Sequence, residues 1–426
     1  MNADITKKQM LRLVNPKEAI VVVLGGGRGT RLHPLTRDRA KPAVGFGGKY
    51  RLIDVTLTNC LRSRFERIFI LTQFNSFSLN RHIWQTYSHE VRSGGFIEVM
   101  AAEQTLESRD WFQGTADAVR QSLRHVLQHE SRQVLILSAD QIYHMDYREL
   151  LLWHENHEAD CTIAAHYTAP DDITHLGVVN PDRDLRVKGF HEKPDSPDLV
   201  SHCRLDRLDG VHCPDGRPFL CSMGIYLFDT EVLVEALASE GEDFGRQVIP
   251  WTAEHKKLTC FPFDGYWEDV GTIEAFFHAN MVWREGRGIA QAFKGGDSII
   301  THARQLAPSR IHATHVCDSI IADGCEIYAD SVQRSIIGVR CRIGGGCVIE
   351  DTIFMGNDGP ARDAPFEIGA NCRIRNAIID KNVCIGEGSV IANEEGVTEA
   401  DHDHYAIRSG IVVIPRHVTL PPGTRI

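Results

Sequence analysis

Between residues 321 and 391 the chain repeats itself. Ile321–Ile327 reads IADGCEI, Ile343–Ile349 IGGGCVI, Ile368–Ile374 IGANCRI and Ile385–Ile391 IGEGSVI. Each segment has an isoleucine, a small residue, a residue suited to a tight turn, then cysteine or serine, and a second isoleucine six positions after the first. Ile337, Ile343 and Ile349 keep the same step, as do Ile379, Ile385 and Ile391. Repetition at six residues predicts a parallel β-helix, with isoleucines stacked inside and small residues at corners. Cys325, Cys347 and Cys372 are then small interior residues rather than ligands.

The chain before about residue 285 has another rhythm. AIVVVLGGG, RIFILTQ, QVLILSAD, CTIAAHY and MGIYLFD read as buried strands. ADAVRQSLRHVLQHE carries Val119, Leu123, Val126 and Leu127 at helical spacing, and TEVLVEALASE behaves similarly. Alternating strands and helices predict an α/β fold, a mainly parallel sheet with helices on both faces. Ligands of such sheets sit beyond the carboxyl ends of the strands. With 426 residues, two domains are expected. We place a catalytic domain at 1–285, a linker at 286–300 (with GRGIAQAFKGGD, Gly286–Asp297, at its heart) and the repeat domain at 301–426.

Net charge is -11, which argues against nucleic acid as a partner. An anionic substrate would need a local cationic pocket. The start, MNADITKKQML, shows no apolar signal region, and the apolar runs are of strand length, so no membrane span is expected. Twelve scattered cysteines without CxxC pairs fit neither a zinc site nor a disulfide scaffold; they point to reduced thiols in the cytoplasm.

One such pocket is visible. Val21–Val44 reads VVVLGGGRGTRLHPLTRDRAKPAV. Gly25, Gly26, Gly27 and Gly29 follow a strand, so bare backbone N–H groups can turn toward an anion while Arg28 and Arg31 add charge. Neither GxGxxG nor a P-loop fits: Thr30 breaks the first, and Lys41 precedes a proline. DFG at Asp243–Gly245 has no HRD companion and is read as incidental.

LGGGRGTRLHPLT…AKPAV resembles the signature of sugar-phosphate nucleotidyltransferases. AKPAVGFGGKYRLIDVTLTNCL, WFQGTADAVRQ, IYHMDY, HEKP, SMGIYLF and YWEDVGT, in this order over nearly the whole chain, resemble the glucose-1-phosphate adenylyltransferase (ADP-glucose pyrophosphorylase) family. The resemblance implies AMP transfer from ATP to glucose 1-phosphate for α-glucan synthesis of the glycogen or starch type. It also implies a left-handed β-helix, a homotetramer, and regulation by anionic metabolites. It makes Asp140 and Asp269 the ligands of Mg2+. Arg28 would grip the pyrophosphate end of ATP, with Thr30 in the same loop and Lys41 on the nucleotide side. Gln73, Gly114 and Thr115 match positions facing adenine. On the sugar side, Lys193 would bind the phosphate, Glu192 and Ser222 the glucose, and Gly177 would let the chain pass close.

The family's GDH is ADQ here: Ala139 and Gln141 flank the retained Asp140. Members activated by fructose 1,6-bisphosphate resemble NKRAKPA, where this chain has RDRAKPA, with Asp38 at the activator lysine. Arg408 and Arg416 match the C-terminal lysines that bind 3-phosphoglycerate in plant-type members, and are the expected effector site. The alternatives are a catalytically weak regulatory subunit, a nucleotidyltransferase for another sugar phosphate and, because hexapeptide helices often serve acetyl transfer, an acyltransferase.

Overall fold

Alternate residues of the first strand, β1 (Ala19–Leu24), enter two different apolar clusters. Ile20 and Val22 join one; Ala19, Val21 and Val23 join the other. A strand buried on both faces must lie inside a sheet that is covered on both sides. The computed structural model describes residues 9–90, 94–102, 111–238, 241–293, 298–359 and 367–426. Among these the sheet has nine strands. After β1 come β2 (Arg67–Thr72), β3 (Phe96–Ala101), β4 (Gln133–Ser138), β5 (Cys161–Thr168), β6 (Gly177–Pro181), β7 (Val187–Glu192), β8 (Phe219–Asp229) and β9 (Leu258–Phe263).

The order is β7-β6-β8-β4-β1-β2-β3, with β5 also on β8 and β9 on β5. From β4 to β3 the pairing is parallel. Around β8 it is antiparallel, to β4, β5 and β6, and β7 is antiparallel to β6. The sheet is therefore mixed: a parallel half ends in the glycine loop, and an antiparallel half adds a second wall. A bulge between Ser222 and Ile225 re-aims β8 where the halves meet.

Helices cover both faces. Helix α1 (Leu52–Arg62), α2 (Phe77–Tyr87) and α4 (Tyr147–Asn156) insert Leu57, Ile83 and Leu151 into one cluster. Helix α3 (Thr115–Val126), α5 (Thr230–Leu237) and α6 (Ile249–His255) insert Val119, Leu233 and Ile249 into the other.

The C-terminal repeats form parallel coils. Ile327 lies beside Ile343, Ile349 beside Ile374, and Ile374 beside Ile391. Ile368 and Ile385 continue the column of Ile327 and Ile343. Cys325, Cys347 and Cys372 are buried in the same core, as the spacing predicts. Neighbouring residues on these strands face opposite ways. Phe354, Ile379 and Ile414 point into the coil, whereas Ile353, Ile378 and Val413 point out. The outward set packs on Leu32, Val44, Phe46, Val55 and Phe276, the last from α7 (Ile273–Arg284). Each fully buried aliphatic side chain contributes about 1.5–3 kcal/mol, so this seam holds the β-helix firmly against the sheet domain. The Arg39 guanidinium crosses it to both Asp380 carboxylate oxygens at 2.8 Å, with both side chains 1% exposed.

In the glycine-rich stretch after α7, Gly288–Gln291 form a 3-10 turn whose Ile289 is buried in that seam. Its end, residues 294–297, lies outside the described residues, as do residues 1–8 of the N-terminal stretch. No helix among the described residues is long and apolar enough to cross a membrane.

Candidate active site

The carboxyl ends of β1, β2 and β4 open together, and each runs into polar residues. After Leu24 the chain stays in step with β2 for one residue, Gly25 N–H donating to the Leu71 carbonyl at 2.9 Å. It then leaves the sheet, and Gly29, at φ 62°, caps the 3-10 turn Thr30–Leu32. The cleft beyond is about 880 Å3 and is lined by Gly26, Gly27, Arg28, Gln73, Gly114, Thr115 and Asp140, all marked by the sequence. A smaller recess of about 190 Å3 adds Gly25, Gly29, Thr30 and Lys41 around Asp140.

The floor is electrostatic. Lys41 is buried on a 3-10 turn, and its ammonium lies 2.8 Å from Asp140 and 3.8 Å from Asp269. Asp269 arrives through the short strand Trp267–Asp269, paired antiparallel with Gln141–Tyr143 so that Asp269 lies opposite Gln141. Burial works to raise the Asp140 pKa, but the Lys41 charge and the Ser138 hydroxyl outweigh it and hold the carboxyl below its ordinary value. Asp269 is pushed up, by burial and then by the charge of Asp140, with Lys41, Arg31 and Lys193 opposing. Two acids thus compete for one cation.

Arg28 lies over the Phe74 ring at 5.0 Å, a cation–π contact that aims it along the cleft wall. Gln73 donates to the Phe112 carbonyl at 3.3 Å, while its own side-chain oxygen is buried without a partner among the described residues. Helix α3 begins at Gly114 and Thr115. A Cβ on Gly114 would come within 2.3 Å of the Glu242 carbonyl, which accepts from the Ala116 and Asp117 N–H groups at 2.8 and 3.2 Å. Only glycine allows that loop to cap the helix so closely.

The residues marked for the sugar side are not among the linings of these two cavities; they lie on the β6–β7 hairpin and at the β8 bulge, near enough for the Lys193 charge to act on Asp269. Gly177 pairs with Glu192, and a Cβ there would collide with the Phe190 ring at 2.3 Å. The Glu192 carboxylate turns toward Lys193, 3.1 Å away. Lys193 takes a left-handed φ of 48°, and its N–H donates to the Leu176 carbonyl at 3.1 Å. Ser222 sits at the β8 bulge, within 3.3 Å of the Tyr226 hydroxyl.

Several residues that shape the site were assigned no role by the motifs that contain or adjoin them. Phe74, Trp111 and Phe112 line the cleft as its aromatic wall. The DFG stretch is no kinase element, yet Asp243 accepts from the Thr115 hydroxyl at 3.2 Å, and a Cβ on Gly245 would meet Glu192 at 2.5 Å. Gln141 is buried and accepts from the Trp267 indole at 3.2 Å, so its side chain serves the strand pair that carries Asp269.

Arg408 and Arg416 lie on the β-helix and are held by different partners. Arg408 binds Asp401 at 2.5 Å and the Ala400 carbonyl at 3.0 Å. Arg416 donates to Asp358 at 3.1 Å, and its own carbonyl accepts from Arg37, the neighbour and ion-pair partner of Asp38.

Residues 20–301 match the family model described as nucleotidyl transferase. The chain belongs to the nucleotidyl transferase family. Residues 304–425 match the GLGC left-handed parallel beta-helix domain. This nucleotidyl transferase therefore carries the pair of domains that is the hallmark of glucose-1-phosphate adenylyltransferases. A nucleotide and a sugar phosphate fit the family as substrates.

Proposed function

We propose that the chain is a glucose-1-phosphate adenylyltransferase. It joins ATP and glucose 1-phosphate to give ADP-glucose and pyrophosphate. A phosphate oxygen of the sugar phosphate attacks the α-phosphorus of ATP in line. One P–O bond forms as the bond to the β-phosphate oxygen breaks, and pyrophosphate leaves with no covalent enzyme intermediate. Both reactants are anions, and two unit charges at about 4 Å repel by roughly 4 kcal/mol at an effective dielectric of about 20. Positioning and charge neutralisation are thus the protein's work.

The observation that carries this reading is the pair of acids sharing the Lys41 ammonium at the floor of the cleft. Two carboxylates around one cation, partly exposed to the cleft, are a donor set that fits a hard divalent ion. Asp140 and Asp269 would hold Mg2+, which when bound offsets the phosphate charge. The loop N–H groups and Arg28 take the triphosphate, and Lys41 stays beside it. Lys193 takes the sugar phosphate. Glu192 and Ser222 take glucose hydroxyls, with Gly177 leaving room for Phe190 and Glu192 to lie flat on the hairpin. The unpartnered Gln73 oxygen favours adenine, whose exocyclic amine donates where guanine or uracil presents a carbonyl.

The test is pyrophosphate release by the purified chain across nucleoside triphosphates and sugar phosphates. ATP with glucose 1-phosphate should be the preferred pair, and Gln73→Leu should raise the KM for ATP about tenfold, the worth of one buried hydrogen bond. Faster turnover with another nucleotide or sugar would overturn the assignment. No turnover with any pair would leave a regulatory subunit.

Anionic effectors fit the basic cluster at the domain seam better than Arg408, whose charge is already matched by Asp401 and Glu399. Around Arg416 stand Lys381, 2.9 Å from Asp358, and the buried Arg51. Burial lowers the Lys381 pKa to about 8; Asp358 opposes the shift, and Arg51 and Arg304 add to it. An added anion would relieve that repulsion. The protonated amine is the binding form, so activation by 3-phosphoglycerate should weaken as pH rises through about 8. Arg416→Ala should raise the half-activating concentration about tenfold, on the order of one charge-assisted hydrogen bond. Strong activation by fructose 1,6-bisphosphate, insensitive to Arg416→Ala, would contradict this placement. We further propose the homotetramer that the resemblance implies, which sedimentation would report.

A further inference from the structure

The two faces of β7 end in different chemistry. Phe190 and Glu192 turn toward Gly177 and the sugar side. His191, between them, must face the other way. There it meets the end of the 3-10 segment Pro197–Cys203. The His191 and His202 rings stand edge to face, with centroids 5.2 Å apart at 82°. One nitrogen from each ring and the Cys203 sulfur all lie within 4.8 Å of one another. Cys203 is a free thiol, 1% exposed, in a small apolar cluster with Val178 and Phe219. Among the described residues, no hydrogen bond engages the three donor atoms.

We infer that His191, His202 and Cys203 form a binding site for a thiophilic divalent ion of the Zn2+ class, separate from the acids at the reaction centre. The donor set decides the class. Two imidazoles and a thiolate select zinc-like ions, whereas Mg2+ takes oxygen donors. In a tetrahedral zinc site such donors stand about 3.3–3.8 Å apart, as bond lengths of about 2.0–2.3 Å require. The present separations, all within 4.8 Å, need a contraction of at most about 1.5 Å to reach that, and three protein ligands leave a fourth position for water. On binding, the Cys203 sulfur forms the metal bond and its proton passes to solvent. Linear spacing hides this site, because His191 comes from a strand and the other two ligands from a loop eleven and twelve positions on. Its place gives it a consequence: a bound ion would tie the end of β7, directly before Glu192 and Lys193, to the 3-10 segment.

The site is tested on the full chain, stripped with EDTA and titrated with Co2+. One Co2+ per chain should bind with a thiolate-to-cobalt charge-transfer band. Zn2+ should displace it, and excess Mg2+ should not. His202→Ala, an exposed change that leaves the core intact, should weaken Co2+ binding about 100-fold, and Cys203→Ser should abolish the band; ligand loss in a three-residue site has effects of at least the size seen for outer-shell partners. Asp140→Asn should leave the band unchanged. Absence of a thiolate band in the parent protein, a band that survives both substitutions, or displacement by Mg2+ would overturn the inference. None of these readouts needs turnover, so the result stands apart from the reaction assigned above.

Discussion

Asp140→Asn should lower kcat for pyrophosphate release by about 10³-fold, the scale of losing one preorganised electrostatic contact to the transition state. Asparagine keeps the shape and can still accept from Ser138. What disappears is the negative charge that Lys41 and the proposed divalent ion share. The side chain ends β4 and is held ionised against burial by Lys41, 2.8 Å away. With Asp140 neutral, Asp269 loses the neighbour that helps push its pKa up and becomes the sole acid at Lys41. Steady-state kinetics with a magnesium titration would show a lower kcat and a higher metal requirement. Circular dichroism would show an unchanged fold. Activity within tenfold of the parent protein would remove the two-acid centre from the mechanism.

Arg39→Met should destabilise the folded chain by about 3–5 kcal/mol, because it strands a buried carboxylate. Asp380 is 1% exposed, accepts both hydrogen bonds from Arg39, and otherwise holds the Lys381 N–H at 2.6 Å. An uncompensated charge at that depth costs more than most core truncations, and total stability is only about 5–15 kcal/mol. The urea midpoint should fall sharply. The double change Arg39→Met with Asp380→Leu should recover most of the loss, since an apolar pair removes both the charge and its need for a partner. If the single variant unfolds at the parent midpoint, the seam between sheet and β-helix does not depend on this pair.

How far these features could be read in advance differs residue by residue. The isoleucine step was legible because each coil repeats one local conformation, and an inward side chain every six residues leaves its mark on the chain. The glycine loop was legible because backbone that must turn sharply out of a strand excludes most side chains. Gln141 was different. Its departure from the family's histidine fell beside Asp140, and only the structure showed it bonded to Trp267. Gly114 likewise looked like room for a base, whereas the nearest atom it yields to is the Glu242 carbonyl. The DFG stretch was set aside as incidental, yet its Asp243 accepts from the Thr115 hydroxyl at the start of α3 and its Gly245 leaves space for Glu192.

The sequence by itself determined the two rhythms, the sheet and the β-helix, and the glycine loop that leaves the sheet after β1. These are matters of period and backbone freedom, and they act over a few residues at a time. Tertiary structure decided which charges meet. Asp140 and Asp269 are joined through a strand pairing between Gln141 and Asp269, and His191 reaches Cys203 across a loop. Electrostatic and ligand chemistry depend on separation in space, and separation in space is set only when the chain has closed its long-range contacts.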